Sequence, residues 1–367
     1  MRSIIIFILF ISALHTVNGQ TPIEVGTKYP VNSEVLGEER SVWIGLPDNY
    51  DSTISYPVVY VLDAEWQFDI TQATVKELAA NDKVPAHIVV GIPHVDRKRR
   101  FKDMTFTTTA RGSDGETDST LLNFFGEEQT GGGASFYGHL VTEVIPFVEG
   151  RHKTNGFDVF IGHSLSGYYG AYLISMDTPF NAFQLYDASI WYNGAEVIKH
   201  TKKSLPLLSK TNVFLSSASG GRDKQQYNID TQAAFNQLLK GQGMNSEVIE
   251  YTKENHGSVR LPSLIDGLSR LYDGFSIGYI FPTDTITVDS AHKHYAAFSE
   301  KVNYTFACPP DAYRWIALAN YTQENWDEAI KAYELSPKSF FEDPIFHLEA
   351  GTCYFDTGDF VLSKYHV

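Results

Sequence analysis

Cysteine is scarce: Cys308 and Cys353 are the only two in 367 residues. A disulfide framework is excluded, and one bridge is the maximum. Neither cysteine belongs to a C-x-x-C pair, so a zinc or redox motif of that kind is absent and both read as buried small hydrophobes. Positive charge is also short. Lys+Arg total 29 against Asp+Glu 44, a net charge of −15. Nucleic acid and anionic membrane surfaces reward Lys/Arg clusters, so neither is expected as the main partner. After the first nineteen residues no apolar run is long enough for a transmembrane helix, and none is expected in the mature chain. What is present suits a globular protein. Hydrophobic residues make up 43% and aromatics 14%, which excludes wholesale disorder. The length fits one large domain, or a domain with a smaller module.

Residues 1–19, MRSIIIFILFISALHTVNG, read as a signal peptide. Arg2 is the positive n-region, and Ile4 to Leu14 form an apolar run too short to span a bilayer. Val17 and Gly19 stand at the −3 and −1 positions of a cleavage site before Gln20. The expected mature protein is exported, periplasmic or secreted, and its low cysteine content fits a bacterial periplasm better than a disulfide-rich secreted scaffold.

From there to about residue 280 the chain alternates strand-like and helix-like stretches. RSVWIGLP (40–47), PVVYVLD (57–63), HIVVGIP (87–93), FDVFIG (157–162), FNAFQLYDAS (180–189), NVFLSSAS (212–219) and SEVIEYT (246–252) are the strand candidates. Helical spacing recurs around Ile70 to Ala80, through 135–152 with Ser135 as N-cap, after Ser164, over Asp230 to Lys240 and over Leu261 to Phe275. Residues 102–133 are polar and rich in Gly and Thr, a long surface loop of the kind that lines a site. Continuous apolar strands alternating with helices predict an α/β fold with a mostly parallel sheet, helices on both faces, and ligands bound beyond the strand carboxyl ends.

The chemistry is concentrated in FDVFIGHSLSGYYGAYL. A serine is a weak nucleophile. It needs exposure, a base and donors for an oxyanion. A sharp turn from strand to helix lifts the Ser164 hydroxyl above the sheet edge and aims the Leu165 N–H at the developing charge. The pattern differs from G-x-S-x-G at its last position, where Ser166 precedes Gly167. The base is expected late in the chain, and His256 in KENHGSV follows the last strand, with Gly257 giving backbone freedom. The acid is expected after the preceding strand. Asp223 in GGRD is the first choice, with Asp187 and Asp230 as competitors. A second oxyanion donor is expected after PVVYVL, from the backbone of Ala64 or Glu65. Trp66 and Trp191 are candidate walls of a substrate pocket, core packing being an equal reading.

Several stretches make a resemblance specific: SVWIGLPDNY, YPVVYVLDAEWQF, HIVVGIPHVDRKRRFKDMT, FIGHSLSGYYGAYL, ASIWYN and ENHGSVRLPSLIDGL. In this order, from about Glu39 to Phe275, they resemble the putative-esterase family of α/β-hydrolases. That family includes esterase D, ferri-enterobactin and related siderophore esterases, feruloyl and acetyl-xylan esterases, and mycolyltransferases. The likeness is greatest to the siderophore-esterase branch. The resemblance implies Ser164 as nucleophile, His256 as base and Leu165 as oxyanion donor. It implies no acid firmly, since some siderophore esterases rely on a Ser–His pair. Ser166 replaces the family's usual glycine, and His94 stands where asparagine is common. The basic run Arg97, Lys98, Arg99, Arg100 is either a solvated loop with a structural arginine, the plainer reading, or a site for an anionic substrate.

From Ala312 the pattern becomes helical with a period of 34. WIALANYTQENWDEAIKAY aligns with HLEAGTCYFDTGDFVLSKY, which resembles a tetratricopeptide repeat. About one and a half repeats are present. Such units seldom bury their faces alone, so the tail is expected to pack on the hydrolase domain or on another chain. The expected organisation is signal peptide 1–19, esterase domain 20–282, helical linker 283–310 and helical-repeat extension 311–367.

These observations predict an exported serine carboxyl-ester hydrolase acting on a small-molecule ester, siderophores included, through an acyl-enzyme. No metal or organic cofactor is implied, and His292 and His294 read as surface histidines. Two other classes share the sequence features. An acyltransferase would use the same residues while excluding water, and a binding protein would keep the repeat surface without the chemistry.

Overall fold

The computed structural model of the chain describes residues 23–108, 116, 130–204, 211–220, 225–278, 283–336 and 344–366. The expected signal peptide, Asp223 and most of the 102–133 loop lie outside the described residues.

Eight strands form one sheet: β1 (Thr27–Ser33), β2 (Glu38–Gly45), β3 (Tyr56–Leu62), β4 (Ile88–Ile92), β5 (Thr154–His163), β6 (Ala182–Tyr186), β7 (Asn212–Ala218) and β8 (Asn245–Tyr251). Their order across the sheet is β1-β2-β4-β3-β5-β6-β7-β8. Only the β1–β2 and β2–β4 pairs are antiparallel; the rest run parallel. YPVVYVL in β3, IVVGI in β4 and AFQLY in β6 are buried at every position, as strands covered on both faces must be. The edge strand β1 instead alternates along TKYPVNS, and this weaker pattern is why it does not stand out in the sequence.

The helices of the α/β part are α1 (Ala64–Ala80), α2 (Arg97–Asp103), α3 (Gly133–His139), α4 (Ile145–Glu149), α5 (Leu165–Leu173), α6 (Tyr192–Ser204), α7 (Gln226–Gly241) and α8 (Arg260–Leu271). A π-helical turn, Leu140–Val144, joins α3 to α4. It ends just before Pro146, whose missing N–H would break a regular α ladder there. The N-cap of α3 is Gly132, not Ser135. Main-chain bonds from Gly133 to Thr105 O and from Phe136 to Gly132 O fix the start earlier than a side-chain cap would.

Alternate residues of β3 enter two apolar clusters. Val58, Tyr60 and Leu62 face Phe136, Leu140, Val144 and the α5 side chains on one side. Val59 and Val61 face Phe68 and Val75 of α1 and Leu264 and Leu268 of α8 on the other. The second cluster continues through α9 (Val288–Val302) into the tail helices α10 (Pro310–Thr322), α11 (Trp326–Leu335) and α12 (Pro344–Asp356), and α13 (Phe360–His366) follows. The α10–α11 pair and the α12–α13 pair begin 34 residues apart. Ala317, Ala329, Ala332 and Ala350 are buried between these helices, and Tyr333 meets Phe346 edge-on at 5.0 Å. Val288 N–H donates to Glu328, and Lys331 pairs with Asp289 at 2.8 Å, so the tail is fastened to α9. Cys308 and Cys353 are both buried thiols. No helix of the described residues is long and apolar enough to cross a membrane.

The topology sets where a ligand can bind. After β3 the chain turns outward to β4; from β5 it proceeds the opposite way to β6, β7 and β8. The carboxyl ends of the paired strands β3 and β5 therefore flank the switch point. Asp63 follows the first strand and Ser164 the second.

Two consequences for stability follow from the core. A Cβ on Gly170 of α5 would lie 2.4 Å from Phe160 Cε1 and 2.7 Å from Leu185 Cδ2. Gly170→Ala should therefore lower stability by about 1–3 kcal/mol through overpacking, despite roughly 1 kcal/mol of better helix propensity; a rise in the urea midpoint would refute the packing account. Asp158 of β5 is buried, and burial, with the charge of Glu149, pushes its carboxyl up to about 7. Its folded value lies above the ordinary 3.8, so between about pH 4 and pH 7 the folded chain keeps a proton that the unfolded chain loses. Stability falls as pH rises through that window, by at most ~1.4 kcal/mol per pH unit from this group. Urea melts of Asp158→Asn at pH 4.5 and pH 8 should show a flatter profile and a gain at pH 8.

Candidate active site

Ser164 sits between β5 and α5 with φ 60° and ψ −116°, a conformation serine rarely adopts. Main-chain bonds hold it there. Its N–H donates to Tyr186 O at 3.0 Å, and its carbonyl accepts from Ser189 N at 2.9 Å and Tyr168 N at 3.0 Å. Strand and helix approach so closely that a Cβ on Gly162 would lie 2.4 Å from Ser166 O, and one on Gly167 would lie 2.7 Å from Ala188 Cβ. The turn expected from the sequence is present, with Ser166 accommodated in it.

His256 lies in the loop between β8 and α8. The side chain of Asn255 shapes that loop, accepting from the N–H groups of Gly257 at 2.9 Å and Ser258 at 3.0 Å. Gly257 does not take up a positive φ, so the backbone freedom expected of it is not used. His256 Nδ1 lies 2.6 Å from Asp187 Oδ2. Asp187, one residue past β6, is buried and has φ 41°. Its other oxygen accepts from Ala218 N at 3.0 Å, Asn228 Nδ2 at 2.8 Å and Gln232 Nε2 at 3.3 Å. With Nδ1 directed at this carboxylate, the imidazole is oriented so that Nε2 is left free of it. Asp187 was a competitor for the acid in the sequence. Asp223, the first choice, lies outside the described residues, and Asp230 instead accepts from Gln226 Nε2 at 2.8 Å.

His163 was not singled out by the sequence. Its Nε2 lies 2.7 Å from the carbonyl oxygen of His256, and the two rings are 4.5 Å apart. Burial, with His256 alongside, pushes its pKa down to about 3, so the neutral ring donates that bond. Strand β5 thus holds the His256 loop directly. The Ser164 hydroxyl lies 3.4 Å from that of Ser189, and no hydrogen bond joins Ser164 to His256 among the described residues.

Two helix N-termini face the switch point. Leu165 is the first residue of α5; Ala64 and Glu65 are the first two of α1. First-turn N–H groups have no intrahelical acceptor. Trp66 N is occupied, donating to Asp63 O at 3.0 Å. Asp63, N-cap of α1 with φ 54°, is buried. Arg100 grips its carboxylate with Nε 2.6 Å from Oδ1 and NH2 2.7 Å from Oδ2. Burial works to raise the Asp63 pKa, but the charge and hydrogen bonds of Arg100 hold it well below the usual carboxylate range. His94 Nδ1 lies 3.2 Å from Glu65 Oε2 and 3.4 Å from Asp63 Oδ1. Burial works to lower the His94 pKa, but the two carboxylates beside it outweigh that and push the value up to about 9. In the basic run Arg97 and Lys98 are exposed, as the plainer reading expects, and Arg100 is its structural arginine. The run forms α2, capped by Asp96, with Arg99 paired to Glu38 at 2.6 Å and Arg100 to Asp63.

Trp66 is half exposed, 5.1 Å from the His94 ring, with the Arg100 guanidinium 5.6 Å from its centroid. Trp191 packs against the core and meets Tyr227 edge-on at 5.5 Å. A cleft of about 530 Å³ opens beside His94 and Glu65, bordered by Lys28, Arg40, Trp43 and Val95. His292 and His294 sit far along the chain on α9, bonded to Tyr313 and to Phe275 O.

Residues 33–179 match the sequence model of the family described as "Putative esterase". A comparison with curated proteins finds no match. Among solved structures, an IroE-like serine hydrolase from Shewanella oneidensis aligns with a TM-score of 0.73 at 25% identity, over 84% of this chain and 98% of its own. The BES protein from Bacillus cereus aligns at 0.58 and 23% identity, over 68% and 97%. The siderophore hydrolase EstA from Aspergillus nidulans aligns at 0.58 and 17% identity, over 69% and 98%, a likeness of fold. The match over residues 33–179, which hold both the Asp63 turn and the Ser164 turn, and the likeness to the IroE-like serine hydrolase together support a carboxylic ester hydrolase of the α/β-hydrolase fold.

Proposed function

We propose that the protein is an exported serine esterase in which Ser164 is the nucleophile, His256 the general base and Asp187 the acid that orients it. The observation that carries this reading is the 2.6 Å bond from His256 Nδ1 to a buried, multiply donated carboxylate, on a loop tied to the strand that ends at Ser164. Ser164 Oγ attacks the ester carbonyl as His256 Nε2 takes its proton. The resulting oxyanion is received by the N–H of Leu165 and by that of Ala64 or Glu65. The tetrahedral intermediate expels the alcohol, protonated by His256, and leaves an acyl-Ser164. Water, deprotonated by His256, attacks the acyl carbon and releases the acid. The Ser164–His256 hydrogen bond forms as substrate draws the two side chains together, as is common where it is long or absent without substrate.

The inferred substrate is a small-molecule ester, with ester-linked siderophores first in line. The likeness to the IroE-like serine hydrolase and the similar folds of EstA, called a siderophore hydrolase, and of IroE, called an enterobactin and salmochelin hydrolase, support that order. Trp66 and Trp191 would border the acyl or alcohol part. Export rests on the first nineteen residues, and the 34-residue spacing of the tail helices supports a tetratricopeptide-like extension.

Ser164→Ala should lower hydrolysis of a short p-nitrophenyl ester by about 10⁴-fold or more while the fold persists. Asp187→Asn should cost roughly 10³–10⁴-fold in kcat by losing the fixed tautomer. Asp223→Asn should remain near the wild-type rate. Loss of activity in Asp223→Asn with a normal Asp187→Asn would transfer the acid's role. In an ester panel, hydrolysis of simple esters but not of catecholate siderophore esters would remove siderophores from the reading.

A further inference from the structure

Ser166 occupies the last position of the G-x-S-x-G pattern and is fully buried. A serine at such a position must satisfy its hydroxyl internally. Here the hydroxyl is shared between the two turns that flank the switch point. Its Oγ lies 2.8 Å from Asp63 Oδ2, 2.8 Å from His163 N and 2.8 Å from His163 O. The carboxylate is the stronger acceptor, so the hydroxyl proton goes to Asp63, and Oγ accepts from the His163 N–H.

The geometry gives this hydroxyl a role beyond filling space. We propose that the Ser166–Asp63 hydrogen bond is a positioning device for the oxyanion hole, fixing the distance between its two halves. This rests on the proposed esterase mechanism and deepens it. Asp63 immediately precedes Ala64 and Glu65, and Ser166 immediately follows Leu165. The bond therefore joins the N-cap of α1 to the first turn of α5, the two helix starts whose N–H groups would bind the oxyanion. No backbone hydrogen bond between these two turns does the same work. The parallel ladder of β3 and β5 has its last matched pair at Val61 and Ile161, below both turns.

The device is separable from charge balance. Without the Ser166 hydroxyl, Asp63 keeps both bonds to Arg100 and stays ionised. What is lost is the link from that anchored carboxylate to the nucleophile turn. Donors set for a tetrahedral oxyanion are sensitive to small displacements, whereas binding of a planar ester is not. Removing the link should thus weaken transition-state binding and leave ground-state binding alone.

The test compares Ser166→Ala and Ser166→Gly with the wild type, after thermal melts establish that each folds. First, a fluorophosphonate must label Ser164 of the wild-type protein. Absence of that adduct would overturn the esterase mechanism itself, independently of Ser166. With labelling in hand, kcat in both variants should fall roughly 10–100-fold while KM stays within about threefold. Inhibition by a trifluoromethyl ketone, which forms a tetrahedral oxyanion on Ser164, should weaken in proportion to kcat. Inhibition by the matching methyl ketone should not change. Should Ser166→Ala fail to fold, Ser166→Gly, with no side chain to clash and the family's usual residue there, carries the test. Unchanged kcat, or a kcat loss with undiminished trifluoromethyl ketone inhibition, would overturn the positioning role while leaving Ser164 as the nucleophile.

Discussion

Strand β5 and helix α5 meet where neither Gly162 nor Gly167 leaves room for a β-carbon. That contact forces the intervening residues into a turn too tight for ordinary backbone angles. Ser164 takes the strained position, Leu165 opens the helix and Ser166 is pressed into the interior. Everything else at the site is arranged around this fixed turn. Ser189 and Tyr186 hold its backbone from the β6 side, His163 holds the His256 loop, and Asp63 approaches Ser166 from β3. The site is thus rigid on the nucleophile side, and the histidine is delivered to it by a loop.

Electrostatics divide the site into two parts. On one side Asp187 is satisfied by backbone and amide donors and by His256. On the other, Asp63 is neutralised by Arg100 and flanked by His94. Both carboxylates are buried at the ends of strands, yet their partners differ. The amide-bound one holds an imidazole in place. The arginine-bound one is a fixed anchor, and it ties the basic helix α2 to the centre of the fold. Burial of a charge is tolerable in each case because every oxygen has a donor.

Much of this was legible in the sequence. The continuous apolar strands and the Ser164 turn stand out because they are buried on both sides and carry little else. Chain order alone singles out His256, which the fold brings against Asp187. Order does not single out Asp187, because two strands are followed by aspartates; the fold shows Asp187 reaching the imidazole, while Asp223 lies outside the described residues. LYDAS carried a signal that could have favoured Asp187, a carboxylate directly after an apolar strand with a small residue next. Strand β1, half exposed, and helix α2, a run of like charges, gave no periodicity to read. The partners of α2, Glu38 and Asp63, lie far away in sequence. The roles of His163 and Ser166 were equally hidden, since both depend on bonds to residues about a hundred positions distant.

The strained backbone of Ser164 has an evolutionary side. A left-sided φ of 60° costs an L-residue on the order of 1–3 kcal/mol and costs glycine almost nothing. Selection for thermal robustness alone would thus drift this position toward glycine. With Ser164 as the proposed nucleophile, a hydroxyl-bearing residue would persist there only while turnover is being selected, so in any descendant freed from that demand this is the place where decay should first register.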